Sequence, residues 1–272
     1  MSRESYFRRF VPENVDGHVA LKVATDNEIL RVTSGSELYG TSLGTGDHDE
    51  MGVFIEPPEY VLAFKQCDVA TYRTQPDGVK SGPGDIDLSI YSLRKFLSLA
   101  MQGNPTILTT LFAPESATLY KNEFGSELLG MADAIVSQRA FPRFRGYMEA
   151  QKKRLMGEKR GHVPSRPELI EQFGYDTKYA MHVLRLGMQG CELMYHGSLE
   201  LPVSPSTRNY LLQVRQGAFS YEEILRDIEE VEEELEWAGA NNDLREEPDT
   251  ERLTEWIIDV HLRHWNKDAA EV

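Results

Sequence analysis

Two aspartates one residue apart, Asp47 and Asp49, stand directly in front of the apolar run "MGVFI" at 51–55. Side chains on a strand alternate between faces, so these two carboxylates point the same way. Held side by side they repel unless something positive lies between them. The segment before them, "GSELYGTSLGTG", is a glycine-laced loop that follows the strand-like "EILRV". A Gly-Ser pair leaving a strand, here Gly35 and Ser36, offers backbone N–H groups and a hydroxyl that suit a phosphate oxygen. A hard cation such as Mg²⁺ takes carboxylates together with the phosphates of its substrate, and it would relieve the repulsion. A third carboxylate from a neighbouring strand would complete a two-ion site for in-line attack at phosphorus. In "GDIDLSIY" the residues Ile86, Leu88 and Ile90 share one strand face, which leaves Asp85, Asp87 and Ser89 on the other. Asp87, mid-strand, is the expected third carboxylate, with Asp85 in reserve.

Around this unit the first 115 residues read as α/β. "DGHVALKVATDN" has helical spacing, "EILRVTSG", "MGVFIEP" and "IDLSIYS" read as strands, and "YVLAFKQCDVATYRT" reads as strand and connection. "PDGVKSGPGD" is a loop by its Pro and Gly content, "LRKFLSLAMQG" an amphipathic helix, and "NPTILTTLF" a fresh start after an Asn-Pro breaker. From about Ser116 the strand signal fades and the segments take helical period, from "FGSELLGMADAIVSQ" to "TERLTEWIIDVHLRHW". "RGHVPSRPE" is the most linker-like interior stretch. The expectation is an α+β protein with an α/β domain at 1–115 followed by a helical domain at 116–272.

With 272 residues, 40% of them hydrophobic, the chain can bury a substantial core. Its N-terminus is polar, without the form of a signal peptide, and no apolar stretch approaches the roughly 20 residues of a membrane span. Cys67 and Cys191 are far apart and make neither a disulfide framework nor a zinc site, so a cytoplasmic protein with reduced thiols is expected. The net charge of −15 disfavours nucleic acid only on average. Residues 141–185 carry ten Lys/Arg against five Asp/Glu, and residues 221–260 carry three against sixteen. The basic segment can therefore serve phosphates while the acidic one reads as a solvated helix face.

Gly35-Ser36, a spacer, Asp47-x-Asp49 and a later strand aspartate resemble the signature of the nucleotidyltransferase superfamily that includes DNA polymerase β. More narrowly, "GSELYGTSLGTGDHDEMGV", "DLSIYSLRKFLSLAMQGNPTILTTLF" and "YDTKYAMHVLRLGMQGCEL", between Glu28 and Leu201, resemble a nucleotidyltransferase family of bacteria and phages named for RNA repair. The resemblance implies a polymerase β-like core, a mixed sheet with flanking helices, followed by a helical domain. It implies that Asp47, Asp49 and Asp87 hold two Mg²⁺ (or Mn²⁺) ions, and that Asp87 takes the proton of the attacking hydroxyl. Gly35 and Ser36 would hold the triphosphate of a nucleoside triphosphate. Lys178, His182 and Arg185, at i, i+4 and i+7 of one helix, would supply positive charge to phosphates. Tyr39 and Arg94 would contribute in a second tier. The chain departs from the family pattern at Thr109, where an acid is common, and at Gly46, where a serine is common.

The resemblance further implies transfer of a nucleoside monophosphate to an RNA 3′ end, with the basic 141–185 region tracking its backbone. A protein or small-molecule hydroxyl is the competing acceptor. The competing class is a non-catalytic binding module that uses the acidic helix at 222–236 as an interaction surface. The aromatic set Tyr6, Phe7 and Phe10 beside Arg8 and Arg9 is expected to pack on the protein body, and His162 has no case for catalysis.

Overall fold

The computed structural model describes residues 13–14, 17–44, 46–76, 79, 81–157 and 166–270. Tyr6, Phe7, Phe10 and His162 lie outside the described residues, as does most of the linker-like stretch. Five strands form a mixed sheet: β1 (Glu28–Thr33), β2 (His48–Phe54), β3 (Val69–Arg73), β4 (Ile86–Ser92) and β5 (Thr118–Lys121). Their order is β3-β4-β2-β1-β5, with β2 and β4 parallel and every other pair antiparallel. A short parallel pair, Glu13–Asn14 with Lys65–Gln66, lies apart from this sheet.

The pleat of the sheet separates two apolar layers. Leu88 and Ile90 of β4 and Phe54 of β2 face α1 (Gly17–Asp26), where Ala20 and Ala24 let the helix lie close. The opposite face carries Met51 and Val53 and packs into a much larger core that runs on through the helices. Helix α2 (Gly35–Leu38) is a single turn after β1. Helix α3 (Leu93–Met101) begins where β4 ends, capped by Ser92, whose hydroxyl accepts from the Lys95 N–H. Helix α4 (Pro105–Leu111) is capped by Asn104, with proline at the first helical position, where no donor is lost.

Strand β5 was not legible as a strand. "TLYK" is four residues long and its Leu119 and Tyr120 are exposed, so it shows no alternation. It is an edge strand, and short edges are the usual protection against unwanted pairing. It adds to β1 in antiparallel register, Leu30 opposite Lys121, so the sheet draws on residues past the point where the strand signal fades. "YVLAFKQC" likewise opens with a helical turn, Pro58–Val61, and extended β3 begins only at Val69.

The helical part is built on α8 (Thr177–His196), flanked by α6 (Ala140–Leu155), α9 (Pro205–Arg215) and α10 (Tyr221–Ala240); α5 (Glu123–Leu129) and α7 (Pro167–Phe173) complete it on the way. Asp176 caps α8, its carboxylate accepting the N–H groups of Lys178 and Tyr179. A Cβ at Gly187 would collide with Val231 of α10 and Met148 of α6, so the missing side chain sets the spacing of these three helices. The final helix α11 (Thr250–Ala270) returns to the sheet: Trp265 donates to the Glu56 carbonyl at 2.8 Å, and His261 meets the Glu56 carboxylate at 3.2 Å in a buried pair.

Some of the opposed charges of the sequence meet between α6 and α10. On the basic helix α6, Arg145 pairs with Glu236 at 2.7 Å and Lys152 with Glu232 at 2.6 Å, both on acidic α10. Tyr195 and Tyr210 also donate to Glu234 and Asp227 of α10. Part of the basic charge of 141–185 and part of the acidic charge of α10 is thus paired helix to helix at the surface, between residues too far apart in sequence to be paired from it. Cys67 and Cys191 are free and buried, and burial pushes their thiols up to about 11 and about 12. No described helix is long and apolar enough to cross a membrane.

Candidate active site

The three aspartates converge. Asp47 immediately precedes β2 and Asp49 is its second residue; Asp87 is directly opposite Asp49 in the parallel register of β2 and β4. One carboxylate oxygen from each lies within 4.8 Å of the other two. They occupy the sheet face of Met51 and Val53, at the end where the helical core no longer covers it. The floor of a cleft of about 660 Å³ is formed there, with Lys178, His182 and Arg185 of α8 on its wall.

Mutual repulsion is visible in the charges. The Asp49 carboxyl is held above its ordinary pKa, first by burial and then by the negative charges of Asp47 and Asp87, with Lys178 pulling the other way. Asp87 is held below its ordinary value, because Arg73 donates to it at 2.9 and 3.1 Å and Ser81 adds a hydroxyl at 3.1 Å. Arg73, the last residue of β3, stands opposite Asp87 in the antiparallel β3–β4 register, a contact no local sequence pattern encodes. The reserve aspartate, Asp85, is committed elsewhere: its carboxylate accepts from Gly82 N–H and the Thr74 hydroxyl, each at 2.9 Å, and closes the turn before β4.

Gly35 and Ser36 line the cleft beside Asp49. Gly35 has φ +62°, and a Cβ there would overlap the Asp49 carboxylate, so both the turn and the close approach require glycine. The Ser34 N–H donates to the Asp49 carbonyl at 2.8 Å, fastening the loop to β2. Gly46 also lines the cleft, and a Cβ there would meet nothing within 4 Å, so this departure from the family pattern leaves the backbone undisturbed.

The α8 wall differs from the uniform cationic face expected of it. Lys178 acts electrostatically on the triad, and its pKa is lowered by burial and by Arg166 and Arg215 while Asp47 and Asp49 raise it. His182 is pushed down to about 3 by burial and then by Arg185 and Lys178, so its imidazole is neutral at pH 7 and supplies no positive charge. Its Nδ1 is buried without a hydrogen-bond partner among the described residues. The Arg185 guanidinium is buried over the Tyr39 ring, 3.9 Å from its centroid, and donates to Gln189 at 2.6 Å. Tyr39 therefore acts as the platform of Arg185. Two cations that the sequence reading did not single out lie near Lys178 at the start of α8: Arg215 donates to the Thr177 hydroxyl at 3.1 Å, and Arg166 pairs with Asp176 at 3.2 Å and lies over Tyr179.

Arg94 is not part of this cleft. It sits at the far end of β4, beyond Ser92, and lines a separate groove with Tyr60 and Cys67. Five residues of extended strand carry it roughly 17 Å from Asp87. Thr109 is buried in α4, its hydroxyl donating to the Thr106 carbonyl at 2.8 Å, so it is satisfied within its own helix.

A model of the RNA repair pathway DNA polymerase beta family, RlaP, matches residues 16–259, nearly the whole described chain. The chain belongs to this family. A 38.9 kDa protein from the nrdC-mobD intergenic region of Enterobacteria phage T4 is 34% identical over 86 residues, which are 32% of this chain and 26% of that one. The chain matches about a quarter of the length of that phage relative. Among solved structures, a nucleotidyltransferase-like protein from Exiguobacterium sibiricum is similar over 82% of this chain and 72% of its own, at 9% identity and TM-score 0.31. Spectinomycin adenyltransferase AAD(9) from Enterococcus faecialis is similar over 81% and 98%, at 14% identity and TM-score 0.36.

Proposed function

We propose that this RlaP protein is a metal-dependent nucleotidyltransferase that moves a nucleoside monophosphate from a nucleoside triphosphate to the hydroxyl of an RNA 3′ end. The observation that carries the reading is the three-carboxylate cluster of Asp47, Asp49 and Asp87 facing Lys178 across one cleft. The donor set fits a hard divalent cation: it is all carboxylate oxygen, close enough to share ions, and electrostatically strained by its own charge. Asp47, Asp49 and Asp87 would hold two Mg²⁺ or Mn²⁺ ions, which supply charge neutralisation at the reacting phosphate.

The chain's own residues do the rest by positioning and electrostatics. Gly35 and Ser36 present backbone N–H groups and a hydroxyl to the phosphates, and Lys178 and Arg185 add positive charge from α8. The acceptor oxygen forms a bond to the α-phosphorus, the bond from that phosphorus to the bridging oxygen of pyrophosphate breaks, and the hydroxyl proton passes to Asp87. RNA as the acceptor is supported by the family's association with RNA repair. A protein or small-molecule hydroxyl would use the same site.

The test is incubation with each α-labelled nucleoside triphosphate, Mg²⁺ or Mn²⁺ and total RNA, beside an Asp47→Ala/Asp49→Ala control. Label in RNA with the unaltered protein alone is the expected result. Label in protein or a small molecule would keep the chemistry and replace the acceptor; no label with any nucleotide would overturn the reading.

A further inference from the structure

Of the three clustered carboxylates, one already has a cation. Arg73 closes a two-point fork on Asp87, Nε to Oδ1 at 2.9 Å and Nη2 to Oδ2 at 3.1 Å. Ser81 ties the fork together, accepting from Arg73 at 3.0 Å and donating to Asp87 at 3.1 Å. A carboxylate has about four lone-pair positions, and three on Asp87 are engaged by these two side chains. The fork geometry matches guanidinium to carboxylate and holds Asp87 in one orientation. Arg73 lines the same cleft as the triad, with 48% of its side chain exposed. Asp87 is itself 23% exposed, so an incoming cation has access to its carboxylate.

Resting on the metal-site reading above, we propose that Arg73 is a built-in counter-ion of Asp87, which a divalent cation must displace in order to bind. In the ion-free protein it neutralises one charge of three and keeps Asp87 turned into the cluster. The ion then binds against this competitor, so Arg73 sets the cation concentration at which the site fills. Arg73 is a positioning residue here, acting through Asp87.

The probe is Mn²⁺ alone, without nucleotide, titrated into the full chain and followed by the electron paramagnetic resonance of free Mn²⁺. Arg73→Gln removes the charge and is expected to bind Mn²⁺ about tenfold more tightly than the unaltered protein, the scale of a charge-assisted pair. Arg73→Lys keeps the charge but loses the fork, and its affinity should fall between the two. Thermal unfolding of each variant establishes that it is folded, and Arg73→Lys carries the test should Arg73→Gln fail to fold. Equal or weaker Mn²⁺ binding in Arg73→Gln, with binding abolished in Asp49→Ala, would overturn the counter-ion and leave the metal site standing. Absence of Mn²⁺ binding to the unaltered protein and Arg73→Gln alike would overturn both.

Discussion

Asp49 occupies the space that a side chain at residue 35 would need: a Cβ on Gly35 would overlap its carboxylate. The two positions are therefore coupled, although fourteen residues separate them. Gly35→Ala faces two penalties. A left-handed φ costs a non-glycine residue roughly 1–2 kcal/mol, and the Asp49 carboxylate must move away. The expected outcome is a Tm lower by about 2–4 °C for each kcal/mol, with Mn²⁺ affinity reduced at least tenfold, read by calorimetry and Mn²⁺ titration. Gly46→Ser is the counterpart, since a Cβ there meets open space. It should change stability by less than about 0.5 kcal/mol. Equal effects at the two glycines would mean that the packing of Gly35 against Asp49 does not matter.

Burial and the charges of Asp47 and Asp87 raise the pKa of Asp49, so without cations its ionised form destabilises the fold. The sign follows from linkage: the folded state holds the proton more tightly than the unfolded chain, so the cost is absent below the ordinary pKa of about 3.9 and develops as pH rises through the folded value. Asp49→Asn should thus raise the Tm of the ion-free protein at pH 7 by a few degrees, and less at pH 4. The same variant should lose the stabilisation that Mg²⁺ gives the unaltered protein by mass action. A lower Tm at pH 7 would show that Asp49 is held by favourable partners rather than by repulsion.

The carboxylate cluster was legible because its spacing is local: i and i+2 fix Asp47 and Asp49, and strand alternation sets Asp87 apart from Leu88. Arg73 was not legible, because its place depends on the register of β3 against β4, which is fixed by packing across the sheet. Arg94 misled by being close to Asp87 in sequence, whereas an extended strand carries neighbours apart. His182 is on the expected helix and cleft wall, but its charge state depends on burial and on Arg185, which periodicity does not report. The α6–α10 ion pairs were invisible for the same reason, and β5 was hidden by its shortness.

Gly187 sets two effects of opposite sign against each other. Alanine is better than glycine inside a helix by about 1 kcal/mol. Its Cβ at 187 would press on Val231 and on the Met148 sulfur, 2.9 Å away. Overpacking a filled core costs typically 1–3 kcal/mol, so Gly187→Ala should be destabilising by about 1 kcal/mol in urea unfolding. Adding Val231→Ala makes room, and the pair should be more stable than the two single effects summed. Strict additivity would remove the contact as the cause.

His182 offers a pH test that leaves the carboxylates untouched. Burial, Arg185 and Lys178 depress its pKa to about 3 in the folded protein, against about 6.5 unfolded. A depressed folded value means the unfolded chain binds the extra proton, so the contribution is fully present above about pH 6.5 and is lost as pH falls toward 3. The imidazole resonances should not titrate between pH 5 and 8 in a two-dimensional NMR series. His182→Gln, which cannot ionise, should flatten the acid side of the stability profile while leaving stability at pH 8 within about 1 kcal/mol. Nucleotide affinity in the same variant should show the pH dependence of the unaltered protein, because a neutral imidazole lends no charge to phosphate. A midpoint near 6.5 for His182 would instead return it to the cationic face of α8, beside Lys178.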